Sequence, residues 1–166
     1  MSKTTERTRV ITWDDPTIGA KAAPTMSGLE YFEAMLDGTL PRPAIGALMN
    51  FDVTEASEGR IVFSVEPAEY HYNPIGTVHG GLAATLLDSA MGCAVHTVLP
   101  AGVGYTTIEL KVNYIRALTV NSGLVHAIGE VIHCGRRVAT AEGKIVDENG
   151  KLYAHGTTTC LIFQPK

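Results

Sequence analysis

Residues 73–88 read NPIGTVHGGLAATLLD, a stretch in which a polar, turn-rich lead-in becomes an apolar run that ends in an aspartate. The lead-in holds one histidine and a glycine pair, and the aspartate follows the histidine by nine residues. The apolar character continues to about residue 99, where Pro100 and Gly102 predict the end of a helix. The sequence therefore predicts one long, mostly buried helix with a carboxylate inside it.

Segments with strand character lie on both sides of this helix. Two extended pieces precede it, at residues 49–56 and 59–66, and four follow it, at about 105–117, 123–135, 136–147 and 151–163. Consecutive strands with tight turns predict an antiparallel sheet, and the helix must cover one of its faces. The pattern predicts an α+β fold. In the first strand after the helix, alternation places these apolar residues on one face: Ile108, Leu110, Val112 and Tyr114.

The first 26 residues are polar and are predicted to form an N-terminal extension, followed by a single domain over residues 27–166. Ser27 is predicted to cap a short helix that ends near Gly38. The turn-rich stretch PRPAIG, residues 41–46, is predicted to be a connector. The domain thus begins with a short helix and a turn before its first strand.

Composition restricts the classes of function. A chain of 166 residues with 45% hydrophobic and 18% charged residues has the size and apolar content of one folded domain. A net charge of −4 and a pI near 5.8 argue against nucleic-acid binding through a broad basic surface. The charge is compatible with a small local basic patch, which a phosphorylated ligand requires.

The cysteines and histidines do not form a disulfide framework or a metal motif. Cys93, Cys134 and Cys160 contain no CxxC pair and are predicted to be reduced core thiols, and no histidine pair has HExxH spacing. The N-terminus lacks the apolar stretch of a secretory signal, and Asp88 within the apolar run argues against a membrane span. We expect a cytoplasmic protein with no resident metal and no membrane partner.

The glycine pair at the predicted helix start suits carbonyl chemistry. The first N–H groups of a helix lack internal partners, and Gly80 and Gly81 let a ligand approach the backbone closely, where a developing oxyanion is stabilised. Asp88 lies two turns further along the same face, about 10 Å from the helix start. One carbonyl group does not span that distance easily. The spacing therefore favours a site shared between two copies of the chain.

Asn73, the His79-Gly80-Gly81 run and Asp88, in register with the strand order, resemble the PaaI-like acyl-CoA thioesterases of the hotdog superfamily. The likeness extends from about residue 29 to residue 163. It implies a hotdog fold, in which an antiparallel sheet wraps around one long central helix. It also implies hydrolysis of an acyl-CoA, aromatic or medium-chain, to free acid and CoA. No cofactor is implied beyond the CoA that the substrate carries.

The resemblance assigns roles to individual residues. Asp88 matches a catalytic carboxylate that acts as general base on water or as nucleophile on the thioester carbonyl. Gly80 matches the glycine whose backbone N–H polarises that carbonyl. Asn73 and His79 match polar residues that line the site and orient the thioester. Thr107 falls where many relatives carry a Ser or Thr that positions the water.

The resemblance also implies contacts to coenzyme A and a quaternary structure. A guanidinium pair in a predicted hairpin suits phosphate, and Arg116 or Lys111 adds charge nearby. Family members form homodimers with the site between protomers, commonly paired as dimers of dimers. The neighbouring threonine leaves the alignment of the water-positioning residue open by one position. The residues expected to contact the substrate or its CoA are Gly81, Thr106, Gly135, Arg136 and Arg137.

Alternatives remain open at this stage. The helix aspartate is also typical of a structural residue that bonds Ser89 or a facing strand, and the arginine pair is also typical of a solvated hairpin tip. A hotdog hydratase or dehydratase is one competing function, and a non-catalytic acyl-CoA-binding domain is another. The absence of a G-x-S-x-G elbow argues against an α/β-hydrolase.

Overall fold

The computed structural model describes residues 6–164. Three short helices precede the first two strands, and one long helix separates these strands from the last four, as expected of an α+β domain. The helices are α1 (Thr17–Ala22), α2 (Gly28–Leu36), α3 (Ala44–Met49) and α4 (Gly80–Thr97). The strands are β1 (Phe51–Ser57), β2 (Arg60–Val65), β3 (Gly104–Tyr114), β4 (Val125–Cys134), β5 (Val138–Asp147) and β6 (Leu152–Phe163).

All six strands form one antiparallel sheet in the order β1-β2-β4-β5-β6-β3. The α4 helix contacts every strand of this sheet and is the central element of the domain. The predicted α+β fold is confirmed, and its architecture is the hotdog arrangement of a sheet around one helix. Two strands, β1 and β3, end the sheet with one neighbour each.

The core lies between α4 and the concave face of the sheet. Burial of apolar area is the main stabilising contribution to such a core. At Gly129 the helix and sheet approach so closely that a Cβ would lie 2.2 Å from the Ala90 carbonyl oxygen, so a side chain is excluded there. The large side chains that are fully buried in this layer include Ile61, Leu86, Leu87, Met91, Val95 and Ile145.

The predicted alternation along the first strand after the helix is wrong at Ile108. A bulge between Thr107 and Glu109 puts Ile108 out of register, and its side chain is 58% exposed. Tyr114 is also 58% exposed, but its ring lies against Gly80 of α4, on the helix-facing side that alternation predicts. Leu110 and Val112 do pack against the core as predicted.

The expectation of tight turns between all four later strands is wrong at the first connection. Residues 115–124 join β3 to β4 as a longer segment that contains a 3-10 turn, Val120–Ser122. Two strands, β5 and β6, separate β4 from β3 in the sheet, so β3 pairs with β6 and not with its sequence neighbour. The strand that carries the predicted water-positioning threonine is therefore an edge strand.

Two local predictions differ in detail from the structure. The PRPAIG connector runs into α3, and the first strand begins at Phe51 after Asn50 ends that helix in a left-handed conformation with φ 59°. Ser27 caps α2 through a capping box with Glu30, as its sequence signature predicts. Of the three free thiols, Cys134 is exposed, so the prediction of a core thiol is wrong for that residue.

The extension of residues 1–26 is described from residue 6 onward, and the boundary between extension and domain stays a prediction. It contains α1 and a following 3-10 turn, Ala23–Thr25. Among the described residues, no helix has both the length and the apolar content needed to cross a bilayer.

Candidate active site

The start of α4 leaves one backbone donor available. His79 is the N-cap, with φ −62° and ψ 134°, and its Nδ1 accepts the Gly81 N–H at 2.8 Å. Within residues 6–164, the Gly80 N–H has no acceptor. The first turn of a helix also carries the positive end of the helix dipole. Gly80 is therefore the glycine that can donate to a ligand, whereas the amide of Gly81 is already engaged.

A cleft of about 280 Å³ opens beside this donor. Tyr114 forms one wall, and a Cβ on Gly80 would lie 3.2 Å from its ring, so glycine lets the ring and a ligand share this space. Arg116 lines the same cleft and donates to the Leu152 carbonyl oxygen at 2.6 Å. The remaining lining residues are Val78, His79, Ala83, Ile115, Ala117, Leu118, Tyr153 and Ala154.

The helix carboxylate has a specific partner on β3. Thr107 Oγ1 donates to Asp88 Oδ1 at 2.9 Å, whereas Thr106 is exposed. No hydrogen bond reaches Asp88 Oδ2 from the part of the chain that the structure describes. One oxygen is therefore held in position while the other is available to accept a proton from water. The facing-strand partner that sequence left as one possibility is this threonine.

Two thiols close to the carboxylate are poor nucleophiles. Burial raises the pKa of the Cys93 thiol to about 12, and the Asp88 charge contributes in the same direction. Burial also raises the pKa of Cys160, which pairs with Thr107 across the β3–β6 ladder. Because only the thiolate is a strong nucleophile, both groups are inert near neutral pH. Neither thiol therefore competes with the Asp88 carboxylate as a candidate reactive group.

Comparison with known proteins bears on what this geometry does. The family model of the thioesterase superfamily matches residues 75–154, which include the whole of α4 and all of β3 to β5. A protein of Halobacterium salinarum named as an esterase is 35% identical over 105 residues, which cover 60% of this chain and 68% of that protein. The chain belongs to the thioesterase superfamily. Its predicted enzymatic class, a thioester hydrolase, is confirmed.

Further relatives agree with this membership. Human acyl-coenzyme A thioesterase 13 is 27% identical over 136 residues, which cover 81% of the present chain and 94% of the human protein. The solved structure of a phenylacetic acid degradation-related protein from Ralstonia eutropha JMP134 has a TM-score of 0.71 at 27% identity. That match covers 79% of this chain and 98% of the other. The predicted resemblance to PaaI-like thioesterases is confirmed.

Asn73 has a local role in this thioesterase. Its Oδ1 accepts the N–H groups of Ile75 and Thr77, and its Nδ2 donates to Thr77 Oγ1 at 3.0 Å. These bonds close the turn that leads into α4. Asn73 therefore shapes the loop that precedes the start of α4 at Gly80. Its predicted part in orienting the thioester stays a prediction.

The structure also shows which of the candidate cations lies in the cleft beside Gly80. Arg136 and Arg137 lie at the β4–β5 hairpin, and neither lines the cleft beside Gly80. Gly135 shapes that hairpin through its N–H, which donates to the Val138 carbonyl oxygen at 2.9 Å. Arg116 is the cation within the cleft. In residues 6–164, no cluster of three His, Cys, Asp or Glu side chains is arranged to hold a metal ion.

Two histidines near the helix ends make the stability of the thioesterase depend on pH. His71 is 8% exposed, its Nδ1 accepts the Ala68 N–H, and its Nε2 donates to the Met49 carbonyl oxygen. Burial lowers the pKa of His71, and the neighbouring charge of Arg9 adds to this effect. Burial also lowers the pKa of His96, whose ring packs against Tyr31, Phe32 and Tyr105.

We expect acid to reduce the free energy of unfolding. Because the folded-state pKa of each ring is below its unfolded value of about 6.5, the unfolded chain binds more protons in the window just below that pH. The stabilisation is present above about pH 6.5 and is lost as pH falls toward the folded pKa. Urea unfolding from neutral to mildly acidic pH measures this loss. His96→Phe should give a shallower dependence, and an equal slope in the two proteins would contradict the assignment.

Proposed function

We propose that the protein hydrolyses the thioester of an acyl-CoA, aromatic or medium-chain, to the free acid and CoA. The observation that carries this proposal is the Asp88 carboxylate, held at one oxygen by Thr107 and available at the other. It lies on the helix that begins at Gly80, whose amide has no acceptor among residues 6–164. Thioester hydrolysis requires a group that activates water and a donor for the developing oxyanion. The helix carries one of each.

In the proposed reaction, the Gly80 N–H polarises the thioester carbonyl while the carboxylate of Asp88 acts. As a general base, Asp88 takes a proton from water as the water attacks the carbonyl carbon, and the thiolate of CoA leaves. As a nucleophile, it attacks the carbonyl carbon and displaces the thiolate of CoA to form an anhydride, which water then hydrolyses. After a single turnover in ¹⁸O-labelled water, label in Asp88 identifies the nucleophilic route with water attack at the Asp88 carboxyl carbon, since the general-base route places label in the acid product alone.

The charge within the cleft supports a phosphorylated leaving group. Arg116 lies in the same cleft as Gly80 and presents a guanidinium, whose planar donors suit phosphate oxygens. The surrounding residues Val78, Ala83 and Leu118 are apolar, which fits the pantetheine arm that joins the phosphates to the thioester. The relative named as an acyl-coenzyme A thioesterase has the same ligand class in its name.

We propose further that two copies of the chain build each site. Gly80 and Asp88 are eight residues apart on one helix, about 12 Å along its axis. Asp88 does not line the cleft beside Gly80. The β3 strand of 11 residues is an edge with exposed Ile108, and a long unprotected edge is a template for pairing. Antiparallel pairing of two β3 strands gives the homodimer, and two such dimers form the tetramer.

A thiol-release assay over a panel of acyl-CoA thioesters tests the activity. We expect steady-state release of free CoA with aromatic or medium-chain substrates, in an acidic protein that needs no added cofactor. The same panel should include an enoyl-CoA, which a hydratase would consume by adding water. Tight acyl-CoA binding without thiol release across the whole panel would contradict the proposed activity.

A further inference from the structure

The position of the α4 start is set by a neighbouring loop. The His79 N–H donates to the His71 carbonyl oxygen at 2.8 Å, and Tyr72 bridges Val78 on the same side. His79 in turn accepts the Gly81 amide and thereby fixes the first turn of α4. A displacement of residues 69–72 would therefore be transmitted to the N-cap. The Gly80 amide, which follows the N-cap directly, would move with it.

The loop of residues 69–72 is also bonded to the end of α3. The His71 ring donates from Nε2 to the Met49 carbonyl oxygen at 2.8 Å. Tyr70, the preceding residue, packs its ring against that of His71 with centroids 4.3 Å apart. Tyr70 itself is 50% exposed, so the burial of its own side chain does not fix it strongly. A contact from the N-terminal extension helps to hold Tyr70 in place.

Arg9 of the N-terminal extension makes that contact. Its guanidinium donates to the Leu48 carbonyl oxygen at 2.8 Å and to the Ala47 carbonyl oxygen at 2.9 Å. The guanidinium carbon also lies 4.1 Å from the centroid of the Tyr70 ring. Arg9 and His71 therefore satisfy three consecutive carbonyl groups at the end of α3. Next to them, Arg7 pairs with Glu69 at the start of the same loop.

The chemistry of this contact is specific to arginine. A guanidinium has a planar set of donors, so it can reach two carbonyl groups while its face stacks on an aromatic ring. The last carbonyl groups of a helix lack internal partners and interact favourably with a cation. A lysine could satisfy one carbonyl or contact the ring, but its single ammonium cannot do all three. The N-terminal segment is thereby tied to α3 and to residues 69–72 at once.

We propose that Arg9 is a positioning residue for the active site. It acts through Tyr70 and His71 to hold the loop that places His79 and the Gly80 amide. The proposal rests on the proposed function for its effect on catalysis, while its structural part stands independently. The N-terminal extension is then a part of the working enzyme, since it clamps the end of α3 against the loop that precedes α4.

Arg9→Met in the full-length chain tests the clamp, with Arg42→Met as the matched control. Arg42 is an exposed arginine whose ion-pair partner is Asp52 and not a residue of the 69–72 loop. We expect Arg9→Met to lower kcat about tenfold with KM changed less than about twofold, because a misplaced donor weakens transition-state binding. Arg9→Lys should recover part of kcat, and Arg42→Met should retain all of it.

Amide hydrogen exchange gives a readout that does not depend on hydrolysis. The amides of His79 and Gly81 should exchange at least about tenfold faster in Arg9→Met than in Arg42→Met, since their hydrogen bonds open more often. Unchanged exchange at both amides would overturn the clamp. If the wild-type protein released no thiol from acyl-CoA, the proposed function would fail while exchange still decided the clamp. If Arg9→Met did not fold, Arg9→Lys exchange would decide it.

Discussion

Asp88→Asn is expected to abolish most turnover and to leave the fold intact. The substitution keeps the size of the side chain and an oxygen that can accept the Thr107 hydroxyl, so the contact at 2.9 Å can persist. An amide cannot take a proton from water, nor can it attack a carbonyl as a carboxylate does. We expect kcat to fall about a thousandfold or more, the effect of removing the positioned base. Thiol release under saturating acyl-CoA measures it.

Glu142→Gln is the matched control for this substitution. Glu142 is an exposed carboxylate on β5, away from the Gly80 cleft, so the variant has the same charge change without the same position. Its kcat should equal that of the wild-type protein. An Asp88→Asn protein with the wild-type rate would show that hydrolysis does not pass through this carboxylate, and the role proposed for it would have to be abandoned.

The parts of the site that follow each other in sequence were predictable. A capping residue, a glycine and a carboxylate two turns later belong to one helix, so helical periodicity alone relates them. Helical periodicity could not decide whether Thr106 or Thr107 faces Asp88. That choice depends on which face of β3 meets α4, and because successive strand residues point to opposite faces, a shift of one residue exchanges the two threonines. The structure selects Thr107 by its hydrogen bond to Asp88.

Contacts between distant segments were not predictable. The bulge at Ile108 breaks the alternation of β3, and sequence contains no local signal for it because a bulge is fixed by pairing with β6. Arg9 contacts carbonyl groups 38 and 39 residues away, and its role has no motif. Arg116 was one of several candidate cations. The structure distinguishes it from Arg136 and Arg137, because Tyr114 and residues 115–118 line the cleft beside Gly80 and the other two arginines do not.

Gly80→Pro is expected to remove the carbonyl donor without unfolding α4. Proline lacks an N–H, and Gly80 is the first helical residue, where proline is well tolerated. The extended conformation of His79, with ψ 134°, is one that a residue before proline adopts readily. Loss of one oxyanion donor should lower kcat about 100-fold or more. Gly80→Ala is the control, since it adds the same Cβ beside Tyr114 but keeps the N–H.

The same two variants decide whether each site belongs to one chain or to two. In a dimer whose sites combine Asp88 of one copy with Gly80 of the other, a heterodimer of Asp88→Asn and Gly80→Pro has one site with both lesions and one with neither. Heterodimers purified through two different tags should therefore regain about half of the wild-type activity per dimer. If each chain held its own site, every site would carry a lesion and no activity would return. Because each parent homodimer is nearly inactive, the recovered rate reports directly which chains cooperate.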